Sequence, residues 1–381
     1  MKPIPLDVDA VPSPAYVLEE AALRRNLAIL DRVQRASGAK ILLALKGFAF
    51  WSAFPWIRDV LPGAAASSLH EARLAHEEFG GETHVYAVAF ADAEVPQILD
   101  LADHITFNSL SQWRRFKAAV AASPRRISPG LRVNPEHSEI ATPLYDPCAA
   151  HSRLGVTRDQ CSPGDVAGIE GLHLHAHCGN EADVLERTMA AFEDRFGAFI
   201  PAMKWINIGG GHAVTRQGYD VERLIRVLTS FRARYGVEVY LELGEAVGWQ
   251  TGPLVASVLD VVRNGMEIAV LDVSATAHMP DVLEMPYRPE VRGAGLPGAL
   301  AHTYRLGGLT CLAGDVIGDY SFERALEVGD RVVFEDMIHY TIVKSTTFNG
   351  VNLPSLCVWT ADGTLRVIRR FGYEDYKRRN S

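Results

Sequence analysis

The chain has 381 residues, 48% hydrophobic and 22% charged, enough for two domains with substantial cores and without the composition of a disordered chain. A formal net charge of −8 argues against a nucleic-acid partner and fits a cationic ligand. The five cysteines are scattered and form no CxxC pair, the opening MKPIPLDVDAVPSPAYVL lacks the apolar stretch of a signal peptide, and no run approaches membrane-spanning length, so a soluble cytoplasmic protein without a disulfide framework or zinc knuckle is expected.

In chain order, residues 15–18 read as a short strand. Eight aliphatic runs follow, at 41–45, 64–68, 84–90, 104–108, 130–134, 171–175, 205–208 and 239–244. Amphipathic segments at 69–79, 95–102, 112–121, 182–199 and 221–235 separate them, so the alternation reads as repeated βα units. The fold class is α/β, a (β/α)8 barrel over residues 22–251. Residues 135–160 form a long polar, Pro-containing connection with the character of a functional loop. After residue 252 the pattern turns β-rich, with candidate strands at 254–262, 268–273, 331–334, 340–343 and 355–359. These and the opening strand predict a second, discontinuous all-β domain built from residues 1–21 and 252–381.

Polar groups stand at the carboxyl ends of the barrel runs: Lys46, Ser67, Asn108, Asn134, His175, Gly209-Gly210-Gly211 and Glu242. In a closed barrel these ends converge on one rim, where active sites of this fold are built. Lys46 follows the run Ile41-Leu42-Leu43-Ala44-Leu45. Desolvation there lowers an amine's pKa and frees it for Schiff-base chemistry, whereas an ordinary strand-end lysine would snorkel to water. The three glycines can bring backbone N–H groups close to an anion, or form no more than a tight turn; the spacing is not that of a dinucleotide fingerprint. His173, His175 and His177 alternate on one run. A metal site is one reading, but no acidic triad accompanies the run and Glu242 and Asp272 would have to be recruited from afar, so an imidazole stacked on a flat heterocycle is preferred and no metal is expected. Glu242, among apolar neighbours, needs a partner such as a pyridinium nitrogen. Cys311 and Asp315 share a glycine-bordered loop of the second domain.

This order of a lysine, a His-x-His run, a glycine-rich strand end and a strand-terminal glutamate resembles the fold-type III pyridoxal-phosphate enzymes, the group of alanine racemase and the decarboxylases of ornithine, arginine and diaminopimelate. Within it, Pro14-Ala15-Tyr16-Val17-Leu18, Ala44-Leu45-Lys46, Ser67-Ser68-Leu69-His70-Glu71, Leu131-Arg132-Val133-Asn134-Pro135, Ser152-Arg153-Leu154-Gly155, Gly248-Trp249-Gln250-Thr251-Gly252 and Leu271-Asp272-Val273-Ser274-Ala275-Thr276 look like the carboxynorspermidine (carboxyspermidine) decarboxylases. The resemblance implies that Lys46 anchors pyridoxal 5'-phosphate, that His175 stacks on its ring and that Glu242 holds the ring nitrogen protonated. It further implies that Gly209, Gly210 and Gly211, with Cys178 and Tyr340, surround the phosphate. It implies a homodimer with shared active sites, Cys311 as proton donor from the partner subunit, and Asp272, Asp315 and Arg153 as contacts of a small carboxylated amine. The expected reaction is decarboxylation of a carboxylated polyamine; the alternatives are another carboxylated aminopropyl compound or basic amino acid, or racemisation. Two departures bear on substrate choice: the family usually reads His-x-Leu-Cys-Glu where this chain has His175-Ala176-His177-Cys178-Gly179, and Glu-Pro-Gly-Glu where it has Glu242-Leu243-Gly244-Glu245.

Overall fold

A computed structural model describes residues 4–381 and divides them into two compact units, residues 26–247 and residues 4–25 with 248–381. The first strand, β1 (Ala15–Glu19), belongs to the second of these. Eight parallel strands then close the barrel of the first unit: β2 (Lys40–Ala44), β3 (Gly63–Ala66), β4 (Glu82–Tyr86), β5 (His104–Phe107), β6 (Ser128–Arg132), β7 (Gly171–His173), β8 (Trp205–Asn207) and β9 (Glu238–Leu243). Closure is completed by β2 pairing with β9, Lys40 opposite Tyr240 and Leu43 opposite Leu243. The eight aliphatic runs therefore coincide with the eight barrel strands to within a few residues. Covered on both faces, parallel strands are buried throughout and read as continuous apolar runs, which is why they are visible in the sequence.

Helices fill the crossovers. Leu110–Ala122 starts where Ser109 Oγ accepts the Gln112 amide, and Val221–Tyr235 starts on Asp220 in the same way and stops at Gly236 with φ +69°. The segment 69–79 is not one regular helix: Leu69–Leu74 is α-helical and Ala75–Phe79 a π turn. Sequence reasoning missed the helix Glu20–Ser37, although Leu23, Leu27, Leu30 and Val33 carry its 3.6-residue period and are all buried. Residues 135–160 contain only two short 3-10 turns, Pro143–Tyr145 and Arg158–Gln160.

In the other unit, β10 (Leu254–Arg263), β11 (Glu267–Leu271), β12 (His302–Gly307), β13 (Val316–Phe322), β14 (Arg331–Phe334), β15 (Ser355–Trp359) and β16 (Leu365–Arg369) join β1 in an eight-stranded sheet. The order is β13-β12-β11-β10-β1-β15-β16, with β14 also on β10. β1 lies antiparallel to β10 and parallel to β15, so the start of the chain sits inside the sheet formed by its end. Around it, Val17, Val255, Cys357 and Trp359 form a core. One expected strand is corrected: residues 340–343 turn instead of extending, because Tyr340 has φ +46°, and Ile342–Lys344 is a 3-10 turn. Among the described residues no helix is long and apolar enough to cross a membrane.

Candidate active site

The carboxyl ends of the barrel strands bring Lys46, Arg132, His173, His175, the three glycines and Glu242 together. Lys46 follows β2 in a turn held by Gly47 N–H to Ala44 O. Burial pushes its amine below the ordinary lysine range; the Glu242 carboxylate opposes this and Arg132 adds to it. Lys46 therefore lies nearer to the neutral, nucleophilic form than a surface lysine.

Glu242, on β9, is buried and accepts a 2.7 Å hydrogen bond from Asn207 Nδ2 at the end of β8. Burial alone would raise its pKa, but His173, Lys46 and the Asn207 amide more than offset this, and the carboxyl stays below the ordinary range. His173 Nε2 lies 3.9 Å from Glu242 Oε2, and burial drives that imidazole to a pKa of about 4, so the ring is neutral at pH 7. His175 is pushed well below the ordinary value, first by burial and then by the charges of Lys46 and Arg132. Its Nδ1 accepts from Gly210 N–H at 3.0 Å, which fixes the ring against the glycines with its other nitrogen protonated. Arg132, at the end of β6, stacks its guanidinium 4.7 Å from the Tyr86 ring centre and donates to His175 O at 3.2 Å.

The glycines form a cradle that side chains would fill. A Cβ on Gly209 would lie 2.6 Å from Leu174 O, one on Gly210 would overlap Glu242 O and one on Gly211 would overlap His177 O; Gly209 and Gly211 also have φ of +71° and +82°. Their amides are not equivalent. Gly209 N–H donates to Asn207 Oδ1 at 2.8 Å and Gly210 N–H to His175, whereas Gly211 N–H has no acceptor among the described residues and is left for an anion. An amine low in charge, a flat neutral imidazole, a buried carboxylate and a glycine cradle with an open amide fit pyridoxal phosphate, which needs a Schiff-base partner, a stacking surface, a ring-nitrogen partner and a phosphate site. His173, His175 and Glu242 also present donor atoms within 4.8 Å of one another, as a metal site would, but the Gly210 bond already occupies one His175 lone pair.

The long loop is pinned to this rim by Asn108, whose Oδ1 accepts from Tyr86 Oη and Gly155 N and whose Nδ2 donates to Arg153 O, leaving the Arg153 side chain exposed. Cys178 is exposed, and its amide donates to Asn180 Oδ1. His177 is not displayed to solvent: it is buried with its ring centre 4.7 Å from that of His212. Gly179 has φ +68°, a reason for glycine at that position.

Within the sheet unit, Cys311 is exposed, and its amide donates to Asn349 Oδ1 at 2.7 Å. Asp315, in the same loop, meets different surroundings. It is buried, and its carboxylate accepts four hydrogen bonds from its own unit: Ala275 N and Thr276 N on Oδ1, Thr310 N and Thr310 Oγ1 on Oδ2. These bonds tie Asp315 to the loop that carries Cys311. Asp272 accepts from Ser257 N and Ser13 Oγ, and burial raises its pKa. Tyr340 also lies in this unit. Sequence reasoning missed Arg132 and Asn207 as site residues; the signal available was a polar residue within an otherwise apolar strand.

A family model described as the pyridoxal-dependent decarboxylase C-terminal sheet domain matches residues 16–338. The chain is 49% identical to carboxyaminopropylagmatine decarboxylase of Synechocystis, over 98% of this chain and 96% of that protein. It is 47% identical to carboxynorspermidine/carboxyspermidine decarboxylase of Campylobacter jejuni, over 98% and 99%. The crystal structure of carboxynorspermidine decarboxylase from Campylobacter jejuni complexed with norspermidine superposes with a TM-score of 0.91 at 46% identity, covering 97% of this chain and all of that one.

Proposed function

This chain belongs to the pyridoxal-dependent decarboxylase family, and from that premise we propose that it removes the α-carboxyl group of a carboxyaminopropyl polyamine, carboxynorspermidine or carboxyspermidine, to give norspermidine or spermidine. The observation that carries the reading is Lys46: a half-buried amine of lowered pKa at the rim, beside a carboxylate and a glycine cradle. Pyridoxal phosphate, when bound, supplies the electron sink for the bond that loses carbon dioxide. Lys46 would hold the cofactor covalently until substrate amine replaces it. Glu242, kept ionised, would hold a proton on the ring nitrogen and so strengthen the sink. His175 would fix the plane of the ring, and Gly211 N–H would bind phosphate, with Gly209 and Gly210 shaping the cradle and Cys178 and Tyr340 contributing.

We propose a cytoplasmic homodimer in which the Cys311 loop completes the site of the other copy and the thiol returns a proton to the α-carbon. Exposed apolar side chains of the sheet unit, Leu283, Met285, Tyr287, Leu309 and Leu312, support a covered face there. Arg153, exposed on the long loop, and Asp272 are proposed to meet the polar ends of the substrate. A second substrate, carboxyaminopropylagmatine, is favoured by the 49% identical relative. It shares the reacting end and differs at the far end, where a guanidine replaces an amine.

The test is carbon dioxide release by the cofactor-loaded protein from these three compounds, with meso-diaminopimelate, ornithine and arginine alongside. Turnover of a carboxyaminopropyl compound at least about a hundredfold above the amino acids is expected, since a site built for the longer amine leaves groups unpaired with shorter ones. Preference for an amino acid would overturn the substrate class.

A further inference from the structure

Two parts of the rim that handle opposite ends of a cofactor are joined by one side chain. Asn207 is buried at the end of β8; its Nδ2 donates to Glu242 Oε1 at 2.7 Å and its Oδ1 accepts from Gly209 N–H at 2.8 Å. Both groups of one amide are thus committed, one to the carboxylate on β9 and one to the first glycine of the cradle. The second bond anchors the turn in which Gly209 takes φ +71°, and the strand connection continues it, since Glu242 N–H donates to Gly209 O at 2.8 Å. The three bonds close a ring through Asn207, Glu242 and Gly209 that fixes the carboxylate relative to the cradle. Nothing else among the described residues donates a side-chain hydrogen bond to Glu242; His173 lies farther away, at 3.9 Å.

We infer that Asn207 is the positioning residue of this site, setting the ionisation and direction of Glu242 through its NH2 group and the shape of the phosphate cradle through its carbonyl. This rests on the decarboxylase reading above. Asparagine suits the task because it presents a donor and an acceptor on one rigid plane; a carboxylate of the same shape could serve the glycine but would repel Glu242.

The substitutions N207D and N207A separate the two roles. N207D keeps the acceptor for Gly209 and sets a second carboxylate against Glu242, so the pair should share a proton. Apo wild type and both variants are titrated with pyridoxal phosphate and with pyridoxal, the ratio of affinities reporting the phosphate cradle. The pH dependence of kcat/KM for carboxynorspermidine and of bound-cofactor absorbance reports the carboxylate. For N207D the affinity ratio is expected to stay within about threefold of wild type, while the acid limb of the profile moves up by about one pH unit or more. For N207A the ratio should fall about tenfold or more, the cost of a misplaced cradle. Acceptance of an isosteric residue makes N207D the variant that folds, and its melting temperature checks this. An unshifted N207D profile, or an unchanged ratio in a folded N207A, would overturn the inference while wild-type turnover left the decarboxylase reading standing. A wild type that binds no pyridoxal phosphate would sink both.

Discussion

Lys40 and Lys46 bracket the same strand, β2, and meet opposite surroundings. Lys40, at the amino end, lies 2.7 Å from Glu82 Oε1, 3.0 Å from Glu238 Oε1 and 3.2 Å from Tyr240 Oη. Burial would lower its pKa, but these partners raise it above the ordinary range, so the ammonium is locked in place. Glu82 also takes His84 Nε2 at 3.0 Å and the Tyr240 hydroxyl, and the net effect of burial and these partners brings it to a pKa of about 2. His104 stacks on His84 with ring centres 3.9 Å apart and stays neutral, at about 3. At the other end burial of Lys46 outweighs the charges of Glu242 and Glu71, with which it makes no ion pair, and its pKa falls. One end of the barrel uses its charges to hold the strands together; the other leaves an amine and a carboxylate poised at a stability cost, as catalytic sites do.

The sharpest way to break this contrast is to remove the two lysines in turn. Lys46→Ala should lower kcat/KM for carboxynorspermidine by at least about 10³-fold with the melting temperature held or raised, because a group active in the reaction is lost and a partly desolvated amine with it. Lys40→Ala should leave turnover within about threefold and lower the melting temperature.

A change of one atom in each carboxylate gives the next largest effects. Glu242→Gln should cost about 10²-fold in kcat, measured at cofactor saturation, with little loss of stability. Glu82→Gln should do the reverse: about 1–2 kcal/mol less stability in urea unfolding, from broken bonds to Lys40, His84 and Tyr240, and unchanged kcat.

In the sheet unit, Asp315→Asn should cost about 1–2 kcal/mol by unfolding measurements, because an amide can accept only on one side where Asp315 accepts four bonds on two. Fast hydrogen exchange at Thr310 and Ala275 should accompany it.

The smallest effect is a slope. The folded pKa of His104, about 3, lies below the unfolded value near 6.5, so between these the unfolded chain binds the extra proton and stability falls as pH is lowered. His173 adds to this from 6.5 down to about 4. Glu82 adds below its ordinary value of 4.5, down to about 2. Apo-protein stability should therefore be fully present at pH 7 and decline on acidification from about 6.5. His104→Gln should flatten that decline by about 1 kcal/mol or more.

Much of the barrel was legible because fully buried parallel strands are unbroken apolar runs, and its polar strand ends mark the rim: Lys46, His175, Glu242 and the glycines meet there. The sheet was less legible. β12 and β13 read HTYRLG and VIGDYSF, half-exposed antiparallel strands whose glycines and charges resemble loop chemistry, and β16 is largely exposed. Residues 340–343 have strand-like composition, yet the positive φ of Tyr340 is set by tertiary context. The same limit applies within the site. That Asp315 is tied to Ala275 and that Asn207 links Glu242 to Gly209 depends on partners 40 and 35 residues away, at distances no local pattern encodes.

The most direct test of the account is borohydride reduction of the cofactor-loaded protein at pH 7.5 followed by peptide mapping. Reduction of a Schiff base fixes pyridoxal phosphate to the lysine that carries it. Label is expected on Lys46 and not on Lys40 six residues earlier; label on Lys40, on another lysine, or on none would contradict the assignment of Lys46 as the cofactor's anchor.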